Sequence, residues 1–278
     1  DEERLAVAHA FPMNPGWRVL LTDIGLQPAN VLRRAMLPDD LFAREKAVLN
    51  TDEYFRLWRG VEEESGDPLV PLRLGSAISV EAFDPPIFAA LCSPNLNTAL
   101  ARLSQYKRLI MPMRLHLEIG PDVTSLSLEW LDSSIEPPTS LISTELVFFV
   151  QLGRIATRSE LRAREVQTPQ LPPRANEYHE YFGVPLSEGP RPKLVFDAAD
   201  AAQPLLTANE KMWEVFEPEL RRRLSELSHE ASAADRVRAA LLELLPSGAA
   251  SMESVAKRLG ASTRTLQRRL KQEGQSYQ

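Results

Sequence analysis

Near the end of the chain, Arg264, Gln267, Arg268 and Lys271 recur at spacings of three and four, which sets them on one face of a helix. Guanidinium and carboxamide groups carry paired hydrogen-bonding atoms that match base edges in a DNA major groove, whereas an ammonium suits a phosphate. Ser262 and Thr263 stand at the head of the same segment, where hydroxyls can bond phosphate oxygens. The chemistry implied is recognition of a nucleic-acid duplex, with no covalent step. A basic helix face is also what a merely solvated helix shows, so the reading depends on the elements that would hold these side chains outward.

Those elements are legible in the surrounding residues. Ser262 can cap the helix, and Leu266 and Leu270 form its inner side. Ahead of it, Ser251 caps a helix with Val255, Ala256 and Leu259 inward, and Gly260 supplies a left-handed residue for the turn. Two helices that cross closely need a small residue at the crossing, and Ala256 occupies that place. Ala256, Gly260 and Leu266 together meet the packing demands of a helix-turn-helix. A further helix is expected before them, capped by Ser232 with Asp235 in its first turn. Val237, Ala240, Leu241, Leu244 and Leu245 would form its apolar face, and Pro246-Ser247-Gly248 would stop it.

The run from Ala256 to Ser276, with Leu259, Gly260, Ser262, Arg264, Thr265, Leu266, Gln267, Arg268, Arg269, Leu270, Lys271, Glu273 and Gly274, resembles the first helix-turn-helix of the AraC/XylS transcriptional regulators. Four stretches of the body resemble that family's arabinose-binding type N-terminal domain: PDDLF at Pro38, SGDPLVPLRLG at Ser65, Ser93 to Tyr106, and YFGVPL at Tyr181. The resemblance implies a ligand-responsive, usually dimeric transcription factor whose N-terminal domain binds a small effector or mediates dimerisation. It matches Arg264, Gln267 and Arg268 to base-reading positions. The implied partners are operator DNA, a small-molecule effector, a second copy of the chain and, for an activator, RNA polymerase. The family carries a second helix-turn-helix beyond a connecting helix, and the sequence ends at Gln278, just past the first. A truncated DNA-binding domain is therefore expected here.

Charge distribution agrees with a basic tip on an acidic body. The 278 residues carry a formal charge of -6. From Ser251 onward there are six basic and two acidic residues, whereas residues 1 to 250 hold 26 basic and 36 acidic ones. Such a body has no reason to meet phosphates. A single cysteine, Cys92, rules out an intramolecular disulfide and a thiolate zinc cage. Uncharged apolar stretches such as Leu146 to Val150 are far short of the roughly 20 residues of a bilayer span. The acidic N-terminus lacks the order of a secretory signal. A cytoplasmic protein without membrane contact is expected.

Periodicity in the body suggests mixed architecture. The first eighty residues read as helical, with Pro28, Pro38-Asp39 and Thr51 at helix starts. Phe55, Trp58 and Val61 form the buried face of a helix that ends at Gly66, and Ser93-Pro94-Asn95 precedes another with Leu96, Leu100 and Leu103. Met111 to Ile119 alternates as a strand, turns at Gly120-Pro121-Asp122, and resumes through Leu126, Leu128 and Trp130 as an antiparallel hairpin. A long helix follows Pro137-Pro138, buried on more than one side. The proline-rich stretch from Gln167 to Lys193 should hold loops, a short helix at Tyr178 to Phe182, and edge elements. Lys193 to Phe196 is a strand candidate and Asn209 to Leu227 a helix. The expected fold is α+β: a helix-rich domain with a small antiparallel sheet over residues 1–227, a polar joint at 228–231, and an all-α helix-turn-helix domain over 232–278.

No phosphate-binding, zinc-protease, nucleophile-elbow or dinucleotide motif is present, so no enzyme, cofactor or metal is expected. Rival readings are a DNA-binding protein whose body only dimerises, and an enzyme domain fused to a DNA-binding tail. Cys92 lies on an apolar stretch with no neighbouring histidine, as a buried structural thiol does. His9, His179 and His229 suggest no metal site. Arg114, His116 and Glu118 project from one face of the expected strand. That face either lines a polar effector pocket or is the solvated side of a sheet. Phe55, Trp58, Phe83, Phe88, Tyr106 and Trp130 read as core, and some can serve a pocket as well.

Overall fold

The computed structural model of the chain describes residues 11–14, 16–44, 47–77, 84–131, 135–230, 237, 240, 241, 244, 251–272, 276 and 277. Ala10–Arg221 forms one compact unit, and Arg222–Gln278 falls in a second. Phe83 and the expected start and stop of the helix at Val237, namely Ser232, Asp235, Leu245 and Pro246 to Gly248, lie outside the described residues, as do His9 and Gly274.

The first unit opens with β1 (Phe11–Pro12), α1 (Gly16–Asp23) and α2 (Pro28–Arg34). Pro28 stands in the first turn of α2, where its fixed φ and missing N–H cost nothing. β2 (Val48–Leu49) pairs antiparallel with β1, so the first eighty residues are not wholly helical. α3 (Thr51–Ser65) starts at Thr51, as expected. Asn50 is the cap: its side chain accepts from Glu53 N at 2.8 Å while the Glu53 carboxylate accepts from Asn50 N at 2.9 Å. This reciprocal box satisfies two otherwise orphaned amides, and Gly66 at φ 58° ends the helix. α4 (Val70–Ala77), α5 (Pro85–Leu91) and α6 (Leu96–Tyr106) follow. Asn95 caps α6 through Thr98 N at 2.9 Å. Cys92 is buried in the turn before it.

Among the described residues five strands make the main sheet, ordered β3 (Met113–Ile119), β4 (Val123–Trp130), β7 (Lys193–Asp197), β5 (Glu165–Thr168), β6 (Leu186–Glu188). The β3–β4 hairpin has the expected register, with Leu115 opposite Leu128 and Leu117 opposite Leu126. α7 (Thr139–Thr157) lies between the hairpin and β5 in sequence and is buried almost all round. Gly75 lets α4 lie against it, since a Cβ there would stand 2.5 Å from Val147 Cγ1.

The sheet departs from the expected antiparallel arrangement. β5 and β6 pair parallel, because α8 (Ala175–Phe182) carries the chain back to the starting end between them. β7 also lies inside the sheet, between β4 and β5, and its Leu194, Val195 and Phe196 are all buried. Two covered faces explain a continuous apolar run where one exposed face would alternate. The fold class is α+β, with a mixed sheet.

After α9 (Ala198–Ala201), α10 runs from Glu210 to Glu230. Its first half docks on α6: the Arg102 guanidinium stacks 3.9 Å from the Trp213 ring centre and bonds Glu210 at 2.7 Å. Ser228, His229 and Glu230, expected in a joint, continue this helix. Arg, Leu and Glu are good helix formers, so propensity carries the helix through a stretch without apolar period.

In the second unit Val237, Ala240, Leu241 and Leu244 are helical. α11 (Met252–Arg258) and α12 (Thr263–Gln272) follow. No helix among the described residues is long and apolar enough to cross a membrane.

Candidate functional site

The first unit contains a cavity of about 100 Å³ walled by side chains from α1, α3, α7 and the turn after α6. Tyr54 and Trp58 stand one helical turn apart on α3, so both rings face the same way. Trp17 of α1 meets them edge to face, at 6.4 Å and 89° to Tyr54 and at 5.4 Å and 83° to Trp58. Leu74, Ile87, Ile110 and Phe148 supply further apolar wall. Small-molecule sites are built in this way, mostly apolar with a few placed polar groups.

The polar groups are few, and Lys107 and Glu145 among them are buried. Lys107 Nζ lies 2.7 Å from Glu145 Oε2, with side-chain exposures of 1% and 7%. The same ammonium sits 5.4 Å and 5.2 Å from the ring centres of Phe148 and Phe149. Each ion would be costly alone, and the pair is tolerable because each supplies the other's countercharge. At the other side of the cavity Asn14 Nδ2 donates to Asp84 Oδ1 at 2.8 Å. The Trp58 indole Nε1 is buried without a hydrogen bond of good geometry. Burial pushes the Tyr54 phenol far above its ordinary pKa, and the negative charges of Glu145 and Asp84 push it further.

Arg114, His116 and Glu118 lie elsewhere. They stand on the solvent side of β3 and do not line the cavity. His116 Nε2 is 2.6 Å from Glu129 Oε2, and Arg114 and Arg191 approach the same carboxylate at 3.7 and 3.9 Å. Partial burial raises the Glu129 pKa, but His116, Arg114 and Arg191 together outweigh it and leave the group below its ordinary value. Glu118 is exposed.

The cavity's ionic pair was visible in sequence only as an anomaly. Glu145 is the single charged residue between Thr139 and Leu152, in a helix too apolar to be solvated. A lone carboxylate there demands a buried cation. Which cation supplies it, Lys107 at 38 positions' remove, is a matter of tertiary packing.

In the second unit the α11–α12 pair has the expected local geometry. Ser251 Oγ accepts from Ser254 N at 3.1 Å, and Ser262 Oγ accepts from Thr265 N at 3.1 Å. Gly260 takes φ 62°. Its amide donates to Lys257 O, and Ala261 N donates to Ala256 O at 2.9 Å. These two bonds satisfy the last carbonyls of α11 and turn the chain sharply into α12. Leu266 and Leu270 are each 3% exposed, packed with Val255, Ala256, Val237 and Ala240. Arg264, Gln267, Arg268 and Lys271 consequently stand exposed on the opposite side, with Ser262 exposed and Thr263 half-buried at the head of the helix. Arg269 is exposed too, a further cation beside this face.

Comparison with known proteins places the body. The family described as the arabinose-binding domain of AraC transcription regulators, N-terminal, matches residues 25–205. The crystal structure of the transcriptional regulator CdpR from Pseudomonas aeruginosa is similar at a TM-score of 0.54 and 20% identity, covering 95% of this chain and 81% of that one. At that identity the likeness is one of fold. No curated protein matches the chain in sequence.

Proposed function

Because the chain belongs to the AraC family through its arabinose-binding type N-terminal domain, we propose that it is a transcription regulator. In this reading the cavity bounded by Trp17, Tyr54, Trp58, Lys107 and Glu145 holds a small effector, and α11 and α12 are a helix-turn-helix that meets operator DNA. Arg264, Gln267 and Arg268 read base edges; Ser262, Thr263 and Lys271 meet phosphates. The protein acts as a cytoplasmic homodimer on paired half-sites, and contacts RNA polymerase where it activates. An effector shifts such a regulator only by binding its DNA-competent and incompetent arrangements unequally.

The observation that carries the DNA half is the burial of Leu266 and Leu270 at 3% exposure each, which turns the Arg264, Gln267 and Arg268 side chains outward. Selection of duplexes from a random pool by the full-length protein tests it. The expected result is one enriched motif that Arg268→Ala loses and Lys271→Ala keeps at uniformly weaker binding. Recovery of the same motif with both variants at unchanged affinity would remove the groove assignment.

The effector is assigned to the cavity and not to Arg114, His116 and Glu118, because Arg114 and His116 are engaged with the Glu129 carboxylate on the solvent side of the sheet and Glu118 is exposed, where a small ligand gains little burial.

A further inference from the structure

Among the described residues, the charged side chains that line the cavity are Lys107, Glu145 and Asp84, and each is already engaged. Lys107 Nζ and Glu145 Oε2 close on one another at 2.7 Å, with the ammonium also near the rings of Phe148 and Phe149. Asp84 accepts from Asn14 Nδ2 at 2.8 Å and has a further interaction besides. The aromatic wall is satisfied in the same way. Trp17 meets Tyr54 and Trp58 edge to face, at 89° and 83°, so the positive edge of one ring answers the negative face of another. Burial keeps the proton on the Tyr54 phenol, and Glu145 and Asp84 hold it there more firmly, so this ring adds no charge.

An entering ion would have to take a charged group from its partner. An anion that recruits Lys107 strands Glu145, and a cation that recruits Glu145 strands Lys107; with side-chain exposures of 1% and 7%, neither can turn to water instead. Opening a buried pair by removing one partner is strongly destabilising. A neutral molecule leaves the pair closed and still gains from burying its own apolar surface. We infer that the effector is a small uncharged ring compound, held by contact with Trp17, Tyr54, Trp58 and Phe148 while the Lys107–Glu145 pair stays shut; the inference rests on the cavity being the effector site. The cavity measures about 100 Å³, and a hollow of roughly 150 Å³ lined by apolar side chains binds benzene. One ring is therefore the upper limit of size.

Three probes built on one ring test this: cyclopentanol, the cyclopentylammonium ion and cyclopentanecarboxylate. Each is titrated into the full chain by calorimetry and tryptophan fluorescence. Cyclopentanol is expected to saturate, and both ions are expected to bind at least about tenfold more weakly, given what a stranded buried charge costs. Ile87→Phe narrows the cavity from its apolar wall and should weaken cyclopentanol at least about tenfold with circular dichroism unchanged; Leu20→Phe takes its place if that variant does not fold. Binding of either ion as tightly as the alcohol overturns the neutral assignment while the cavity stands as the site. A thermal-shift fragment screen completes the test. Silence of all three probes while other fragments bind and are blocked by the same variants overturns the small-ring assignment, and the cavity again stands. Cyclopentanol binding that neither variant moves, or silence of probes and fragments together, overturns the cavity reading itself.

Discussion

Lys107 and Glu145 are the residues whose loss the body should feel most. Their pairing at 2.7 Å compensates two desolvated charges, so removing one partner strands the other. Lys107→Met should cost about 3–5 kcal/mol in urea unfolding, and Lys107→Met combined with Glu145→Leu should recover most of that. A single-variant loss within experimental error would mean that water reaches the carboxylate. The cap of α3 offers a second test. Asn50→Ala should cost about 1 kcal/mol, whereas Thr51→Val should be neutral or stabilising, because the buried Thr51 hydroxyl completes no hydrogen bond. Equal losses at both positions would remove Asn50 as the distinguishing cap. Sequence marked the helix start at Thr51 and left its cap unnamed. It could not choose, since Asn and Thr are both good caps and only the backbone geometry at Asn50, φ -79° and ψ 175°, separates them.

At the level of elements, close approach overrides propensity. Gly60 sits inside α3, where replacing glycine by alanine would ordinarily stabilise a helix by about 1 kcal/mol. Here a Cβ would stand 2.6 Å from Val31 O on α2. Backbone cannot yield cheaply, and Gly60→Ala should destabilise by about 1–3 kcal/mol; a raised melting temperature would refute the packing argument. Gly260 behaves oppositely. Nothing lies within 4 Å of its Cβ position, but φ is 62°, so Gly260→Ala should cost about 1–2 kcal/mol through the backbone alone. Apolar period made α3, α6, α7 and the β3–β4 hairpin legible beforehand. It could not reveal β5, whose four residues, Glu165–Thr168, are too few to show a pattern. Nor could it place β7 in the middle of the sheet, because strand order depends on partners distant in the chain.

For the molecule as a whole, the regulator reading makes a thermodynamic demand. If effector binding changes operator affinity by some factor, operator binding must change effector affinity by the same factor. Titrations in both orders on the full-length protein should give equal ratios. An effector that binds with no change in operator affinity would leave the cavity as a site and remove its regulatory role. An effector at about one hundred times its Kd should also stabilise the protein by about 2.7 kcal/mol, visible as a raised melting temperature. Acid should act in the other direction. Glu129 has its pKa lowered in the folded state, so its contribution is present above the unfolded pKa of about 4.3 and is lost as pH falls through the lower, folded value. His116→Ala should shrink that acid-dependent part of the stability.

The amino-acid sequence alone determined the α+β class, most helices, the hairpin and the outward setting of Arg264, Gln267, Arg268 and Lys271. Each of these follows from spacing within a single element, where side-chain direction is dictated by helical or strand period. Only the tertiary structure decided where a small molecule can lodge. The cavity joins Trp17, Tyr54, Trp58, Lys107 and Glu145 from separate elements, and no local period carries the distance between side chains that meet solely because their helices pack.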